Sequence, residues 1–353
     1  VKKQLLATAV TSALAITSTM NSANAGNVTD KVSLGAFMEV GGYIGGNTRQ
    51  SIDAYHFNEE SPDATYHSDT AGSIRVKYKD GQVFGGIEID AYMDKDAKLD
   101  KSYIGYNFDN GVTVKGGLID SVFDARSSYG DLAVEFGKGA VETGAGGDVN
   151  GATIEYGNAR YYAGITVIQD DDKQTGSFNG AVDFKPMEGL LIGAGFLRTD
   201  GIFWGAVNDS YSWNVGTEYQ ATEKLKIGAL YNQYRVNDKD ESVDLNASSA
   251  SFDRNSVDMD QWEISAQYKL VEKLTLAAQV SSRDYNYENS DYTVTKDGKD
   301  TIQNDTDTLS DSGMFYGFGA FYDYSKNTRF SADYQYGAAL KESMGYIKAA
   351  FYF

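Results

Sequence analysis

Glu342-Ser-Met-Gly-Tyr-Ile-Lys-Ala-Ala-Phe-Tyr-Phe353 alternates two kinds of side chain. Gly345, Ile347, Ala349, Phe351 and Phe353 share one face, and Tyr346, Lys348, Ala350 and Tyr352 share the other. Successive side chains of a strand point to opposite faces, so this segment has an apolar side and a polar side. The stretch before it agrees: Phe330, Ala332, Tyr334 and Tyr336 alternate with Arg329, Ser331, Asp333 and Gln335. Tyr316, Phe318, Ala320, Tyr322 and Tyr324 share a face with Asp323 opposite. Farther back, Trp262, Ile264, Ala266 and Tyr268 alternate with Glu263, Ser265, Gln267 and Lys269, and Ile74, Val76 and Tyr78 with Arg75, Lys77 and Lys79.

The same period of two predicts sixteen strands: 33–45, 72–79, 82–93, 99–108, 111–119, 150–157, 160–169, 176–185, 189–198, 210–220, 223–235, 259–270, 273–284, 314–324, 328–337 and 342–353. Two are weak: Leu190 to Leu197 is apolar on both faces, and Ser177 to Lys185 is thin. Tight connections such as Asp80-Gly81, Asn110-Gly111 and Pro186-Met-Glu-Gly189 alternate with longer ones, notably 46–71, 120–149, 236–258 and 285–313. Lipid gives the backbone no hydrogen-bond partner, so strands that cross a bilayer must all be paired and the sheet must close. The expectation is a 16-stranded antiparallel transmembrane β-barrel, with short turns at the periplasmic end and longer loops outside. Sixteen strands leave an aqueous channel rather than a packed interior. Aromatics near strand ends, such as Phe37, Phe108, Tyr156, Tyr219 and Tyr268, are expected in interfacial girdles. Both prolines, Pro62 and Pro186, fall in expected connections, where no ladder donor is lost.

The leader reads separately. Lys2-Lys3, the apolar run Leu5 to Ile16 and Ala23-Asn24-Ala25 match a secretory signal peptide over 1–25, with 26–353 as the barrel domain. No run of about 18 apolar residues exists, which excludes a transmembrane helix. Net charge is −19, and −21 once Lys2 and Lys3 leave with the leader. That balance disfavours nucleic acid as a partner and suits solvated loops or a lumen that gathers cations. Cysteine is absent, which fits an oxidising compartment but decides little.

The connection over 120–149 carries the functional reading. It begins Asp120-Ser-Val-Phe-Asp-Ala-Arg-Ser-Ser-Tyr-Gly-Asp-Leu-Ala-Val-Glu-Phe-Gly-Lys138 and continues Gly-rich. Here the chain resembles the general, non-specific porins of Gram-negative outer membranes, whose third loop folds into the lumen and carries a Pro-Glu-Phe-Gly-Gly motif. Glu135-Phe136-Gly137 matches the centre of that motif, with Val134 in place of Pro and Lys138 in place of the second Gly. The resemblance implies a homotrimer with an inward-folded third loop, in a lipid and lipopolysaccharide membrane reached through the periplasm. It also implies that Phe353 is a C-terminal signal for the barrel-assembly machinery. Loop carboxylates would face a basic wall across the pore. The matching acids are Asp131 and Glu135, with Asp120 and Asp124 as additions. The wall residues are Arg75, with Lys77, Lys79, Lys101 and Lys115 on nearby strands. Tyr129 and Phe136 are expected to anchor the loop. Asp148 stands where relatives often have a wall arginine, which makes the wall less positive and favours cations. The second loop, about Asp94 to Lys98, is short for a subunit latch.

Other signals stay weak. His56 and His67 share one loop and suit neither a catalytic pair nor a metal site. Asp170-Asp-Asp172 and Asn304-Asp-Thr-Asp307 read as acidic loops. No cofactor, metal or catalytic residue is expected. Three functions remain open: a mildly cation-selective diffusion channel, a substrate-specific channel with a track of lumenal aromatics such as Tyr346 and Tyr352, and an adhesin or phage-receptor barrel.

Overall fold

Every strand bonds to its neighbour in sequence, and the last bonds back to the first. The computed structural model describes residues 26–27, 29–44, 67–68, 70–92, 96–134, 148–169, 177–203, 206–238, 241–245, 248–296, 299–303, 308–338 and 342–353. The barrel strands are β1 (Val32–Ile44), β2 (Ala71–Asp80), β3 (Val83–Tyr92), β4 (Lys98–Asn107), β5 (Val112–Asp120), β6 (Asp148–Gly157), β7 (Tyr161–Ile168) and β8 (Phe178–Met187). They continue as β9 (Leu190–Phe203), β10 (Ala206–Gln220), β11 (Leu225–Asp238), β12 (Ser248–Val271), β13 (Leu274–Lys296), β14 (Thr308–Ser325), β15 (Thr328–Gly337) and β16 (Glu342–Tyr352). All pairings are antiparallel, and β16 joins β1 with Phe37 opposite Tyr352 and Val40 opposite Ala349. Phe353 finishes the seam: its N–H donates to the Ala36 carbonyl (2.8 Å) and its carbonyl accepts from Ala36 N–H (3.0 Å). The signal-peptide stretch 1–25 lies outside the described residues.

The alternation read from the sequence becomes two chemically distinct surfaces. Ile104, Ile165, Val167, Val182, Ile264, Phe318 and Ile347 are all more than half exposed or at that level. The residues between them are polar and largely buried, among them Thr153, Thr166, Asn179, Asn214, Gln261 and Ser265. An apolar exterior around a polar interior is the inverse of a water-soluble sandwich, and it is the arrangement a bilayer requires. The Asn110-Gly111 turn forms as expected, with Gly111 at a positive φ of 86° that an L side chain would resist.

Three expectations need correction. Phe37 is not in an outer girdle; it pairs with Ser73 and Tyr352 on the inner face, and its ring lies 5.3 Å from that of Tyr352. Pro186 lies within β8, but inside the register break between Phe184 and Met187, where it has no Cα partner on β9 and no ladder donor is required. The segments 236–258 and 285–313 are not simply loops. β12 runs 24 residues and β13 runs 23, flanked by short strands Glu241–Leu245 and Lys299–Gln303. At about 3.4 Å per residue β12 is about 80 Å long, far more than a bilayer needs. Above the membrane the lipid-imposed alternation is no longer necessary, so the pattern fades while ladder pairing continues.

Candidate functional site: a lumenal segment and the wall it faces

Beyond Asp120 the chain turns onto the polar face of the barrel. Val122 N–H donates to Thr166 Oγ1 on β7 (3.0 Å), and Phe123 N–H donates to Asn179 Oδ1 on β8 (3.3 Å). A single 3₁₀ turn, Asp124–Arg126, follows, and Asn214 Nδ2 on β10 then donates to the Ser127 carbonyl (3.0 Å). At β12, Ser265 Oγ donates to the Gly130 carbonyl (2.7 Å) and accepts Leu132 N–H (3.0 Å), while Gln267 Nε2 donates to the Leu132 carbonyl (2.9 Å). Every one of these wall partners alternates with exposed apolar residues of the outer face. Residues 121–134 therefore run along the inside of the barrel from β7 to β12. Their orphan backbone groups are satisfied by inner-face hydroxyls and amides, as burial demands.

Apolar anchors explain the odd strand. Phe123 is fully buried and packs with Leu197 of β9, with Ile168 against them. This is why Leu190 to Leu197 reads apolar on both faces: its inner face holds the segment rather than water. Burying one such side chain stabilises by about 1.5–3 kcal/mol. Tyr129 sits over Gly193 and Gly216, where any Cβ would collide with it. Its hydroxyl donates to Asp183 Oδ2 at 2.7 Å. Burial, then that hydrogen bond, pushes the phenol well above its ordinary pKa, so it remains a donor. Gly130 has φ 90° and lies against Ala229 of β11, where a Cβ would meet backbone atoms.

The strands β2 to β5 carry a charged inner face. A cavity of about 310 Å³ there is lined by Arg75, Lys77, Glu88, Lys101, Lys115 and Asp120, together with Tyr103 and Ile119. Its charges are interleaved. Arg75 donates to Glu88. Lys101 Nζ lies 2.8 Å from Asp120, 3.4 Å from Asp100 and 3.7 Å from Glu88, and Lys115 Nζ lies 3.2 Å from Glu155. Glu88, Asp90 and Asp100 bring carboxylate oxygens within 4.8 Å of one another, with Arg75, Lys98 and Lys101 close by. Lys348 and Glu39 form a similar pair at the seam, 3.1 Å apart.

Placed in this frame, the expected residues separate. Arg75, Lys77, Lys101 and Lys115 line the cavity. Lys79 follows on Arg75's face nearer the short-turn end, and neither Lys77 nor Lys79 has an ion pair among the described residues. Asp120 ends β5 and bonds its neighbouring strand, so it belongs to the wall rather than to the loop opposite. Asp124 starts the 3₁₀ turn, and Asp131 is half-buried with Oδ1 accepting Ala133 N–H (3.0 Å). Glu135 and Phe136, and the side chain of Asp148, lie outside the described residues. Tyr346 is 1% exposed, which removes it from any aromatic track open to a solute. Glu88, Glu155, Asp183 and Arg126 were not singled out in the sequence. Inner-face parity would have found the first three. For Arg126 no sequence signal exists, because it lies outside any strand.

No family model matches the chain, and no curated protein matches it. Solved structures do. OmpT, an outer membrane protein of Vibrio cholerae, in its loop L8 deletion form, superposes with a TM-score of 0.65 at 15% identity, over 91% of this chain and 99% of that one. In-vitro folded OmpT in its trimer form gives 0.64 at 13% identity, over 91% and 99%. A mutant of the Rh. blastica porin gives 0.61 at 16% identity, over 91% and 100%. At these identities the likeness establishes the fold, the 16-stranded barrel of outer-membrane proteins.

Proposed function

We propose that this outer-membrane barrel is a water-filled channel that passes ions and small hydrophilic solutes by passive diffusion, with a mild preference for cations. The observation that supports it best is the charged cavity on the β2–β5 wall. Charged side chains line that space, and they would be prohibitively costly in a packed core. The preference rests on the net charge of −19 and on wall bases that each face at least one carboxylate, Lys77 and Lys79 excepted. Asp131 and Glu135 would add negative charge at the narrowing. Purified protein in a planar bilayer under a KCl gradient should show stepwise conductance and a reversal potential of cation-selective sign. Asp131→Asn with Glu135→Gln should reduce that potential. Silence in the bilayer would end the channel reading; an unchanged potential in the double variant would remove those two acids from the narrowing.

The porin-type homotrimer is part of the same reading. Its support is an uneven outer surface. The exposed face of β16 and β1–β5 is mostly aliphatic, with Val40, Ile87, Ile89, Leu99 and Ile104, and its exposed tyrosines, Tyr78 and Tyr106, sit toward the short-turn end. The faces of β8–β15 carry aromatics at both levels, such as Phe178, Phe196, Tyr316 and Tyr336 above and Tyr219, Tyr268 and Tyr322 below. Aromatics belong at lipid–water interfaces, so the sector lacking an upper belt suits contact with other copies. Sedimentation in detergent should give a trimeric mass, and Ile87→Asn should lower it without unfolding the barrel. A monomeric wild-type mass would refute the assembly.

A further inference from the structure

We propose that Arg126 is a positioning residue that sets the width of the passage, by clipping the lumenal segment to the wall; the proposal rests on the channel reading above. Its guanidinium Cζ lies 3.3 Å from the centroid of the Tyr162 ring on β7, and its Nε lies 3.4 Å from Asp183 Oδ2 on β8. Both partners are inner-face residues on adjacent strands, paired opposite each other in register. The flat cation is thus held against a ring on one side and beside a carboxylate on another, a combination for which guanidinium is suited and ammonium is not.

The clip does not stand alone. Asp183 also accepts the Tyr129 hydroxyl at 2.7 Å. On the other side Tyr162 donates to Glu155 Oε2 at 3.0 Å, and Glu155 pairs with Lys115 at 3.2 Å. Lys115 lines the open cavity. One chain of contacts therefore runs from the passage wall, through Glu155, Tyr162, Arg126 and Asp183, to Tyr129 of the segment. Bonds between segment and wall at Val122, Phe123, Ser127, Gly130 and Leu132 use the segment's backbone, which many sequences could supply. Arg126 and Tyr129 add polar side-chain specificity beside the buried Phe123, and they converge on one carboxylate.

Removing the guanidinium strips Asp183, whose carboxylate is nine-tenths buried with Arg126 in place, of that cation. Water must then enter beneath the 3₁₀ turn to solvate it, which loosens the segment. Arg126→Ala in the full chain should raise single-channel conductance, on the order of 1.5- to 2-fold, increase open-channel noise, and admit larger uncharged sugars in a liposome-swelling assay. Arg126→Lys keeps the charge but loses the stacked plane, and should fall between Ala and wild type. Asp183→Asn should resemble Arg126→Ala, and the double variant should add little to either. Heat-modifiable migration in gels reports the folded barrel, and if Arg126→Ala fails to fold, Arg126→Lys and Asp183→Asn carry the test. Unchanged or lower conductance in these folded variants overturns the clip, whereas a silent wild type overturns the channel reading itself.

Discussion

Gly130→Ala is expected to convert a steady channel into a larger, fluctuating one while leaving the barrel assembled. Two costs coincide at this residue. An L side chain at φ 90° is disfavoured by about 1–2 kcal/mol. The added Cβ would also run into the backbone of Ala229, which cannot rotate away, and such overpacking costs about 1–3 kcal/mol. Against this stand the three hydrogen bonds that Ser265 and Gln267 make to Gly130 and Leu132. At about 0.5–1.5 kcal/mol net each, their sum is of the same size as the penalty. The middle of the segment should therefore leave the wall, while Phe123 keeps its start buried. No ladder bond of the barrel involves Gly130, so the strand pairing is untouched. Single-channel recording with circular dichroism checks this: a wild-type trace from a β-rich Gly130→Ala protein would mean that the segment does not shape the current path.

Glu88→Gln should move the reversal potential in the anion direction, more than any other single neutralisation of the wall. Glu88 is buried on β3 and lies between Arg75 and Lys101. The amide keeps its shape but leaves the guanidinium without its carboxylate and weakens the field at the ammonium. At 4 Å one unit charge is worth about 1 kcal/mol in bulk water and about 4 kcal/mol at an effective dielectric of 20. The passage lies between those limits, so one charge there shifts the relative entry of anions and cations several-fold. The field of a charge persists over about 30 Å at 0.01 M salt but only about 3 Å at 1 M. The shift should accordingly be large in dilute KCl and shrink in concentrated KCl. A potential indifferent to Glu88→Gln at low salt would place the ion path elsewhere.

The wall also carries its own acids: Glu88, Asp120 and Glu155 fall on strands adjacent to Arg75, Lys101 and Lys115, and antiparallel register sets them within ion-pair reach. Opposite charges therefore alternate along the wall from strand to strand. Strand parity could reveal which side of the sheet each residue occupies, but not which residues meet across it. Register was fixed only within a few residues, and a slip of one would exchange the faces.

Alternation alone was enough to determine a closed sixteen-stranded sheet with an apolar exterior, because a bilayer imposes one chemistry on every second residue. The tight turns were equally visible, since their geometry is local. The seat of the lumenal segment was not. Phe123 on Leu197, Gly130 on Ala229 and Arg126 between Tyr162 and Asp183 join residues distant in the chain. Such contacts follow no period, and they exist only once the barrel has closed and brought β7 to β12 around the segment. The rise of β12 and β13 above the membrane was hidden for a related reason. There, pairing is maintained by backbone hydrogen bonds, which leave no mark on side-chain pattern.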